Sequence, residues 1–263
     1  MSTVLDFERL KAEGHKISIV TAYDAWSARL VARSRVDAIL VGDSAAMVMH
    51  GHKTTVAATV AVMALHTRAV ARASGDKFLI ADLPFLSFRK GLTAAMSAVG
   101  SLVRNGAQAV KLEGVDGHEE IIRQIVGSGI PVMGHIGLTP QSVNGFGGFR
   151  VQGKGDAQGD TLVRQAHALE ALGCFSVVLE CIPAALATRI TSELRIPTIG
   201  IGAGAGTDGQ VLVLQDLWGV DPSHAPRFVR RYLDGEGLLT NALDEYDADV
   251  KNASFPKPEE SYS

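Results

Sequence analysis

The sequence predicts a (β/α)8 barrel, also called a TIM barrel, and three observations support this fold class. Eight short, nearly continuous apolar runs recur along the chain, helix-like stretches separate most of them, and 263 residues suit one barrel. Such runs are typical of strands buried on both faces of a parallel sheet, and their alternation with helices is typical of α/β folds. The runs that we assign to strands cover residues 17–23, 38–44, 78–85, 109–114, 131–137, 175–180, 197–202 and 210–215.

Apolar residues at helical spacing predict the helices between these strands. The predicted helices cover residues 25–34, 58–74, 92–106, 117–129, 159–173 and 184–194. The link between the seventh and eighth runs has only about seven residues, fewer than the roughly 10–12 usual for a βαβ crossover. Either this crossover is very short or the eighth strand is misplaced.

The C-terminal part of the sequence predicts two further helices, over residues 224–233 and 238–253, and a short polar tail over 254–263. We find no repeat, linker or low-complexity tract that marks a second domain. We therefore expect one domain over residues 1–263, a barrel followed by C-terminal helices and the tail.

Composition excludes several classes of protein. The net charge of −3 gives no broad basic surface for nucleic acid, and no apolar run reaches the roughly 20 residues of a membrane helix. The N-terminus has early charges and no apolar signal-peptide core. Two cysteines, Cys174 and Cys181, are too few for a disulfide framework and suit a reducing compartment. We expect a cytoplasmic protein that binds neither nucleic acid nor membrane.

Charged and polar residues cluster where the predicted strands end. In a (β/α)8 barrel the C-terminal strand ends and the loops after them build the active site, so these residues are the candidate site. They come from the second to the sixth predicted strand, in chain order Asp43, Ser44, Asp82, Lys111, Glu113, His135 and Glu180.

The two-residue period of a strand places Lys111 and Glu113 on one face and Val110 and Leu112 on the other. If the apolar pair faces the helices, the charged pair points into the barrel mouth. One interpretation is a buried salt-bridge network between Lys111 and the acids. The other is a divalent metal site, because Asp43, Asp82 and Glu113 offer the hard oxygen ligands that Mg²⁺ prefers.

Glu180 and His135 each leave alternatives open. Glu180 follows an apolar strand, and apolar surroundings raise the pKa of a carboxyl so that it can act as a base near neutral pH. Alternatively it caps a loop or helix. His135 can be a metal ligand, a donor to a substrate or a hydrogen-bonded core histidine.

Several phrases around these residues closely resemble the ketopantoate hydroxymethyltransferase family. The resemblance runs from about residue 17 to about residue 256. The segments "GHIGLTPQSVN" (134–144) and "VQG" (151–153) are highly specific to that family. The other matching phrases are "VTAYD" (20–24), "LVGDS" (40–44), "ADLPF" (81–85), "VKLEG" (110–114), "FGGFRVQGKG" (146–155), "VLECIP" (178–183) and "IGIGAG…DGQVLV" (199–213).

The resemblance implies a barrel of the phosphoenolpyruvate mutase and isocitrate lyase type, assembled as a homodecamer. It implies transfer of the one-carbon unit of 5,10-methylenetetrahydrofolate to 3-methyl-2-oxobutanoate through a magnesium-stabilised enolate, which gives 2-dehydropantoate for pantothenate synthesis. One Mg²⁺ per subunit is expected.

The resemblance also assigns roles to the candidate residues. Asp43, Asp82 and Glu113 match the metal-site acids, of which the two aspartates also neighbour the substrate. Ser44 and Lys111 match groups that bind the keto acid, His135 matches a pocket residue near the substrate, and Glu180 matches the base. The segment after Ser44, with His50-Gly51-His52, is the candidate closing loop.

Three other functions remain as alternatives. A folate-independent, magnesium-dependent lyase or mutase acting on another 2-oxo acid would use the same metal and enolate. An aldolase with Lys111 as a Schiff-base nucleophile would need no metal, although the surrounding acids favour the charged ammonium. A binding module without chemistry would not need Glu180.

Overall fold

The computed structural model describes residues 3–221 and 226–262, and its centre is a closed barrel of eight parallel strands. Strand order around the barrel follows the chain, and the last strand pairs with the first. The strands are β1 (Ile17–Thr21), β2 (Ala38–Val41), β3 (Phe78–Asp82), β4 (Ala109–Glu113), β5 (Val132–Gly137), β6 (Ser176–Glu180), β7 (Thr198–Ile201) and β8 (Gly209–Leu212). This architecture confirms the predicted (β/α)8 fold class.

Helices precede β1, connect most of the strands and follow β8. Those up to β4 are α1 (Val4–Ala12), α2 (Ala25–Arg33), α3 (Ala45–Val48), α4 (Val60–Ala71) and α5 (Leu92–Arg104). Those after β4 are α6 (Glu119–Gly127), α7 (Val143–Phe146), α8 (Asp156–Ala171), α9 (Ala184–Glu193), α10 (Leu214–Trp218) and α11 (Gly235–Lys251). Short 3₁₀ turns lie at Thr55–Ala57, Pro140–Ser142 and Pro258–Glu260.

The short link between the seventh and eighth strands is real. Residues 202–208 are all described and contain no helix, so β7 and β8 are joined by a loop alone. Within this loop the Asp208 carboxylate accepts hydrogen bonds from the backbone N–H of Thr198, at 2.8 Å, and from Lys11 Nζ, at 2.9 Å. These bonds hold the tight connection against the N-terminal end of β7.

Two predictions in the C-terminal part were wrong. The eighth strand ends at Leu212, and residues that we expected to extend it begin α10. Residues 226–233 form turns and irregular backbone instead of a helix, with Val229 N–H bonded to Pro226 O and Tyr232 N–H bonded to Leu217 O. Tyr232 thus bonds outside the i−4 helical pattern. Residues 224 and 225 of that predicted helix lie outside the described residues.

The chain divides into two compact units, Met1–Val213 and Leu214–Ser263. The first contains the barrel and α1 to α9, and the second contains α10, α11 and the tail. The predicted helix over 238–253 is confirmed as α11, which begins earlier because the Asp234 side chain caps it by accepting from Gly237 N–H. One domain over residues 1–263 stays a prediction.

The N-terminal end of the barrel is closed by an aromatic cluster that the sequence reasoning did not anticipate. Phe7 of α1 is fully buried and meets Phe78 and Phe175 edge to face, with ring centroids 5.6 and 5.1 Å apart. Phe78 begins β3 and Phe175 immediately precedes β6, so this cluster marks the end of the barrel opposite the C-terminal strand ends. Such edge-to-face pairs add about 0.5–1.5 kcal/mol beyond area burial.

The interior of the barrel changes from apolar to ionisable side chains along β3, β4, β5 and β6. Ile80 in β3, Ala109 in β4, Met133 in β5 and Val178 in β6 belong to the buried core. Two residues further along the strands, the same inward faces carry charged or ionisable side chains, namely Asp82, Lys111, His135 and Glu180. Strand periodicity therefore directs the candidate site into the barrel mouth.

Candidate active site

The buried ion pair of Lys111 and Asp82 lies at the centre of the barrel mouth. The two residues are direct cross-strand partners of β4 and β3, and Lys111 Nζ lies 2.9 Å from Asp82 Oδ1. Burial alone would lower the pKa of Lys111, but the carboxylates of Asp82 and its neighbours outweigh burial and raise that pKa above its ordinary value. Lys111 is therefore held as an ammonium ion.

Asp43 lies beside Asp82 because β2 pairs with β3 and Asp43 lies in the turn that follows β2. The backbone N–H of Asp43 donates to Asp82 Oδ2 at 3.0 Å. Burial, followed by the negative charge of Asp82, raises the pKa of Asp43 to about 7, although Lys111 acts in the opposite direction. The carboxyl groups of Asp43 and Asp82 are thus neighbours, and they repel each other when both are charged.

Glu113 extends the acidic cluster from the end of β4. Its Oε2 accepts the backbone N–H of Gln141 at 2.9 Å, and its Oε1 lies 3.7 Å from Nδ1 of His135, its cross-strand partner. Burial and then the negative charge of Asp43 raise the pKa of Glu113 well above its ordinary value. Glu113 and Asp43 therefore belong to one electrostatically connected group.

His135 connects this group to Glu180. Lys111 Nζ lies 3.4 Å from His135 Nδ1, and because an ammonium can only donate, Nδ1 is the acceptor and the ring proton is on Nε2. His135 Nε2 lies 3.2 Å from Glu180 Oε2, but the two are not aligned as a hydrogen bond. Burial, together with the charge of Lys111, lowers the pKa of His135 well below its ordinary value, so the ring is neutral.

Glu180 is the most accessible acid of the site, with its side chain 15% exposed against 3% for Asp82 and Glu113. Burial raises the pKa of Glu180 to about 7, and Lys111 opposes this shift. Gly137 pairs with Glu180 across β5 and β6, and a Cβ atom at Gly137, whose φ is +95°, would overlap the Glu180 backbone oxygen. Glycine is therefore needed at position 137 so that the backbone at the end of β6 can pack against β5.

Ser44 lies at the edge of the same mouth and is held by a buried tyrosine. Tyr23 OH is 2.7 Å from Ser44 Oγ, and burial raises the pKa of Tyr23, so its phenol is neutral. A Cβ atom at Gly42 would lie 2.7 Å from Ser44 Oγ and 3.6 Å from Asp82 Oδ2. The absence of a side chain at Gly42 is what allows Ser44 and Asp82 to approach each other.

The segment after Ser44 forms α3 and an exposed turn that is fastened to the barrel. His50 Nε2 lies 2.8 Å from His66 Nε2, and His66 Nδ1 lies 2.6 Å from the backbone oxygen of Tyr23. The predicted role of this segment as a closing loop stays a prediction.

The structure thus brings all seven predicted site residues to one end of the barrel. Sequence reasoning missed two residues that hold them, Tyr23 and Gln141, although both lie inside the phrases that carry the family resemblance. Neither position follows from strand periodicity, because Tyr23 comes after β1 ends and Gln141 lies in a turn after β5. Both carry a polar side chain in a buried position, with Tyr23 1% and Gln141 8% exposed. Buried polar groups need hydrogen-bond partners, and this requirement is the structural feature that identifies the two residues.

The charge of the site suits a divalent cation. One ammonium, that of Lys111, lies among four acids: Asp43, Asp82, Glu113 and Glu180. Within residues 3–221 and 226–262, only Asp82 of these four acids forms an ion pair with a lysine or arginine. The simple salt-bridge interpretation therefore leaves three buried acids unbalanced. Across the same residues, no three His, Cys, Asp or Glu side chains form a group able to hold a metal alone. Mg²⁺ commonly uses only one or two carboxylates, with waters or substrate completing its shell.

A cavity of about 410 Å³ lies beside the acids, between the ends of β4 and β5 and α8. Its walls are mostly glycine, amide, hydroxyl and apolar groups: Gly114, Ile136, Gly137, Thr139, Phe146, Gln152, Gly153, Ala157, Gln158, Thr161, Leu162 and Gln165. None of the ionisable site residues lines it. We place the chemistry at the acids, where burial and charge shift the pKa values.

Among the described residues, no helix is both long enough and apolar enough to span a membrane.

Comparison with solved structures supports the fold. The structure resembles a phosphonopyruvate hydrolase solved with oxalate and Mg²⁺, with a TM-score of 0.64, 11% identity and coverage of 99% of this chain and 93% of the other. It also resembles 2,3-dimethylmalate lyase, a member of the PEP mutase/isocitrate lyase superfamily, with a TM-score of 0.61, 17% identity and coverage of 100% and 92%. At these identities the likeness shows a shared fold.

Comparison with curated sequences is more specific. The chain is 55% identical to 3-methyl-2-oxobutanoate hydroxymethyltransferase of Bdellovibrio bacteriovorus over the full length of both proteins. It is 54% identical to the protein of the same name from Coxiella burnetii strain CbuK_Q154, over 95% of each chain. Residues 1–258 match the family described as ketopantoate hydroxymethyltransferase. The resemblance seen in the motifs therefore extends over the whole chain, which belongs to the ketopantoate hydroxymethyltransferase family.

Proposed function

We propose that this chain transfers a hydroxymethyl group to 3-methyl-2-oxobutanoate, with 5,10-methylenetetrahydrofolate as the donor. The products are 2-dehydropantoate and tetrahydrofolate, and one water supplies the hydroxyl oxygen. Family membership and the names of relatives at 54–55% identity support the proposal. The observation that carries it is the buried cluster of carboxyl groups around one ammonium at the barrel mouth.

The first part of the proposal is one Mg²⁺ per subunit, held by Asp43 and Asp82 with Glu113 as the third acid. When bound, a divalent cation supplies positive charge at the keto oxygen, where negative charge develops as the C3 proton leaves. The unbalanced acids and the raised pKa values of Asp43 and Glu113 support this assignment.

Lys111 and Ser44 would hold the carboxylate end of the keto acid. Lys111 is charged, buried and fixed by Asp82, so it presents a positive field in a water-poor mouth without needing to reorganise. The Ser44 hydroxyl is oriented by Tyr23 OH and lies near Asp82. The raised pKa of Lys111 argues against the Schiff-base alternative, because a nucleophilic lysine must lose its proton.

Glu180 would remove the C3 proton. Its carboxylate accepts the proton, the C–H electron pair forms the C2=C3 double bond of the enolate, and the carbonyl π pair moves onto the keto oxygen. The enolate carbon then attacks the one-carbon unit of the donor, whose two bonds to folate nitrogens are replaced by the new C–C bond and by a C–O bond from water. A pKa of about 7 suits a base that works near neutral pH. His135, which is neutral, would lie beside that carboxylate, with its Nε2 3.2 Å from Glu180 Oε2.

The segment after Ser44 would exclude water while the two substrates are held together. Its exposed residues 48–52 follow closely after Ser44 in the chain, and the His50–His66 contact connects them to α4. Exclusion of water and correct alignment of two reactants are the usual contributions of such closing segments.

Product analysis tests the proposed function against the lyase or mutase alternative. We expect 2-dehydropantoate only when both 3-methyl-2-oxobutanoate and the folate donor are present, detected by mass spectrometry in the presence of Mg²⁺. Cleavage or rearrangement of a 2-oxo acid without any folate would favour the alternative. No reaction under either condition would favour a binding module.

The same family membership supports a homo-oligomer, which we propose to be a homodecamer in the cytoplasm. Helix α11 carries Leu239, Leu243, Tyr246 and Val250 at the spacing of one helical face, all between 46% and 68% exposed. An exposed apolar face of this kind is typical of an interface. Sedimentation analysis would test the assembly, and a species of monomer mass at micromolar concentration would refute it.

A further inference from the structure

Gln141 makes three hydrogen bonds to three other strand ends of the barrel. Its backbone N–H donates to Glu113 Oε2 at 2.9 Å, at the end of β4. Its side-chain Nε2 donates to Asp43 Oδ2 at 2.8 Å, after β2, and to Leu83 O at 2.9 Å, after β3. All three bonds are buried, and the residue is 8% exposed.

The identity of these partners fixes the orientation of the amide. A carboxylate oxygen and a backbone carbonyl both require a donor, so the NH₂ group of Gln141 faces them and both of its hydrogens are used. Leu83 immediately follows Asp82, so the second bond ties the amide to the segment that carries the other aspartate. One side chain therefore fixes Asp43 with respect to the Asp82 segment.

We propose that Gln141 is the positioning residue of the cation site, orienting the Asp43 carboxylate through its amide and the Glu113 carboxylate through its backbone N–H. This inference rests on the proposed cation site of Asp43 and Asp82. Gln141 would hold the ligands in position and would not itself coordinate the ion. Partners that orient ligands in this way are worth about 10- to 100-fold in metal affinity.

The two contacts can be separated experimentally because one is made by the side chain and the other by the backbone. Gln141→Met keeps the unbranched length and removes both amide donors, while the backbone bond to Glu113 remains. The effect of this variant therefore reports on the two side-chain contacts, to Asp43 and to Leu83 O, and not on the contact with Glu113. Gln141→Glu is a second variant that keeps the length but can donate at most one hydrogen, and it replaces the amide by a carboxyl facing Asp43.

The test is Mn²⁺ binding to the protein without substrate, measured from the EPR signal of free Mn²⁺, with thermal unfolding in parallel. Gln108→Leu is the matched control, because the Gln108 side chain bonds Leu79 N–H near the opposite end of the barrel. We expect Gln141→Met and Gln141→Glu to weaken Mn²⁺ binding about 10- to 100-fold and Gln108→Leu to leave it unchanged.

The outcomes separate this inference from the proposed function. Folded Gln141 variants that bind Mn²⁺ as tightly as the wild type would overturn the role of Gln141 while leaving the cation site intact. If Gln141→Met fails to fold, the affinity of Gln141→Glu decides in the same way. A wild-type protein that binds no Mn²⁺ would overturn the cation site, and the inference about Gln141 with it.

Discussion

Replacing Glu180 by glutamine should lower catalysis and raise stability at the same time. Gln is nearly isosteric, so the 3.2 Å approach of the side-chain oxygen to His135 Nε2 can be kept. The proton acceptor is lost, and removal of a general base typically slows proton transfer by about 10²- to 10⁴-fold. We expect exchange of the substrate C3 proton with deuterated solvent to slow by this amount.

The gain in stability follows from the burial of the charge. The pKa of Glu180 is raised from 4.5 to about 7, so between these pH values the folded protein holds a proton that the unfolded chain releases. Stability from this group is therefore lost as pH rises from 4.5 through 7. The shift corresponds to about 3 kcal/mol above pH 7, which Glu180→Gln would recover in part.

Two assays check both halves of this prediction. Proton NMR in D₂O follows C3 exchange without folate, and urea unfolding at pH 5 and pH 8 gives the stability difference. The wild-type exchange rate should fall about tenfold per pH unit below pH 7, as the base becomes protonated. Glu120→Gln, an exposed substitution in α6, is the control and should change neither quantity.

The reasoning would be refuted by wild-type exchange in Glu180→Gln, in which case His135 is the next candidate for the base. Loss of Mn²⁺ binding together with exchange would instead make Glu180 a metal ligand. A variant that is no more stable than the wild type at pH 8 would contradict the raised pKa.

Three further substitutions probe the other roles. Asp82→Asn removes a proposed ligand charge and should abolish most Mn²⁺ binding and turnover in a folded protein, and full activity in the presence of EDTA would contradict the metal assignment. Lys111→Arg keeps the charge but replaces a compact ammonium by a planar guanidinium, so KM for the keto acid should rise; a borohydride-trapped adduct at Lys111 would reverse this assignment. Tyr23→Phe removes only the hydroxyl bonded to Ser44 and should raise the KM for the keto acid about two- to tenfold. This range follows from a net hydrogen-bond contribution of about 0.5–1.5 kcal/mol. An unchanged KM would show that Tyr23 does not position Ser44.

The positions of the charged residues could be predicted because a strand has a fixed two-residue period. Ala109 lies in the barrel core, so Lys111 and Glu113 share its face, and in the structure both side chains lie close to ionisable groups of the neighbouring strands. Continuous apolar runs identified the eight strands for a different reason, because the strands of a parallel barrel are buried on both faces. The small number of residues between the seventh and eighth apolar runs also indicated that the connection between β7 and β8 is short.

Residues whose position depends on loop geometry could not be found in this way. Gln141 reaches Asp43 across 98 residues of sequence from a turn whose backbone no periodicity determines. The predicted helix over 224–233 was wrong in its described part, because apolar and charged residues can alternate in an irregular segment as well as in a helix. Phe7 was missed because α1 has a weak pattern of its own and is fixed by contact with Phe78 and Phe175.

The most direct test of the account follows a labelled carbon from donor to product. Wild-type protein is incubated with 3-methyl-2-oxobutanoate and 5,10-methylenetetrahydrofolate carrying ¹³C in the methylene group, with Mg²⁺ or with EDTA. We predict that the label appears as the hydroxymethyl carbon of 2-dehydropantoate with Mg²⁺, and that EDTA removes the signal until Mg²⁺ is restored. Absence of labelled product, or equal labelling in EDTA, would contradict the proposal that this acidic barrel mouth performs cation-dependent hydroxymethyl transfer.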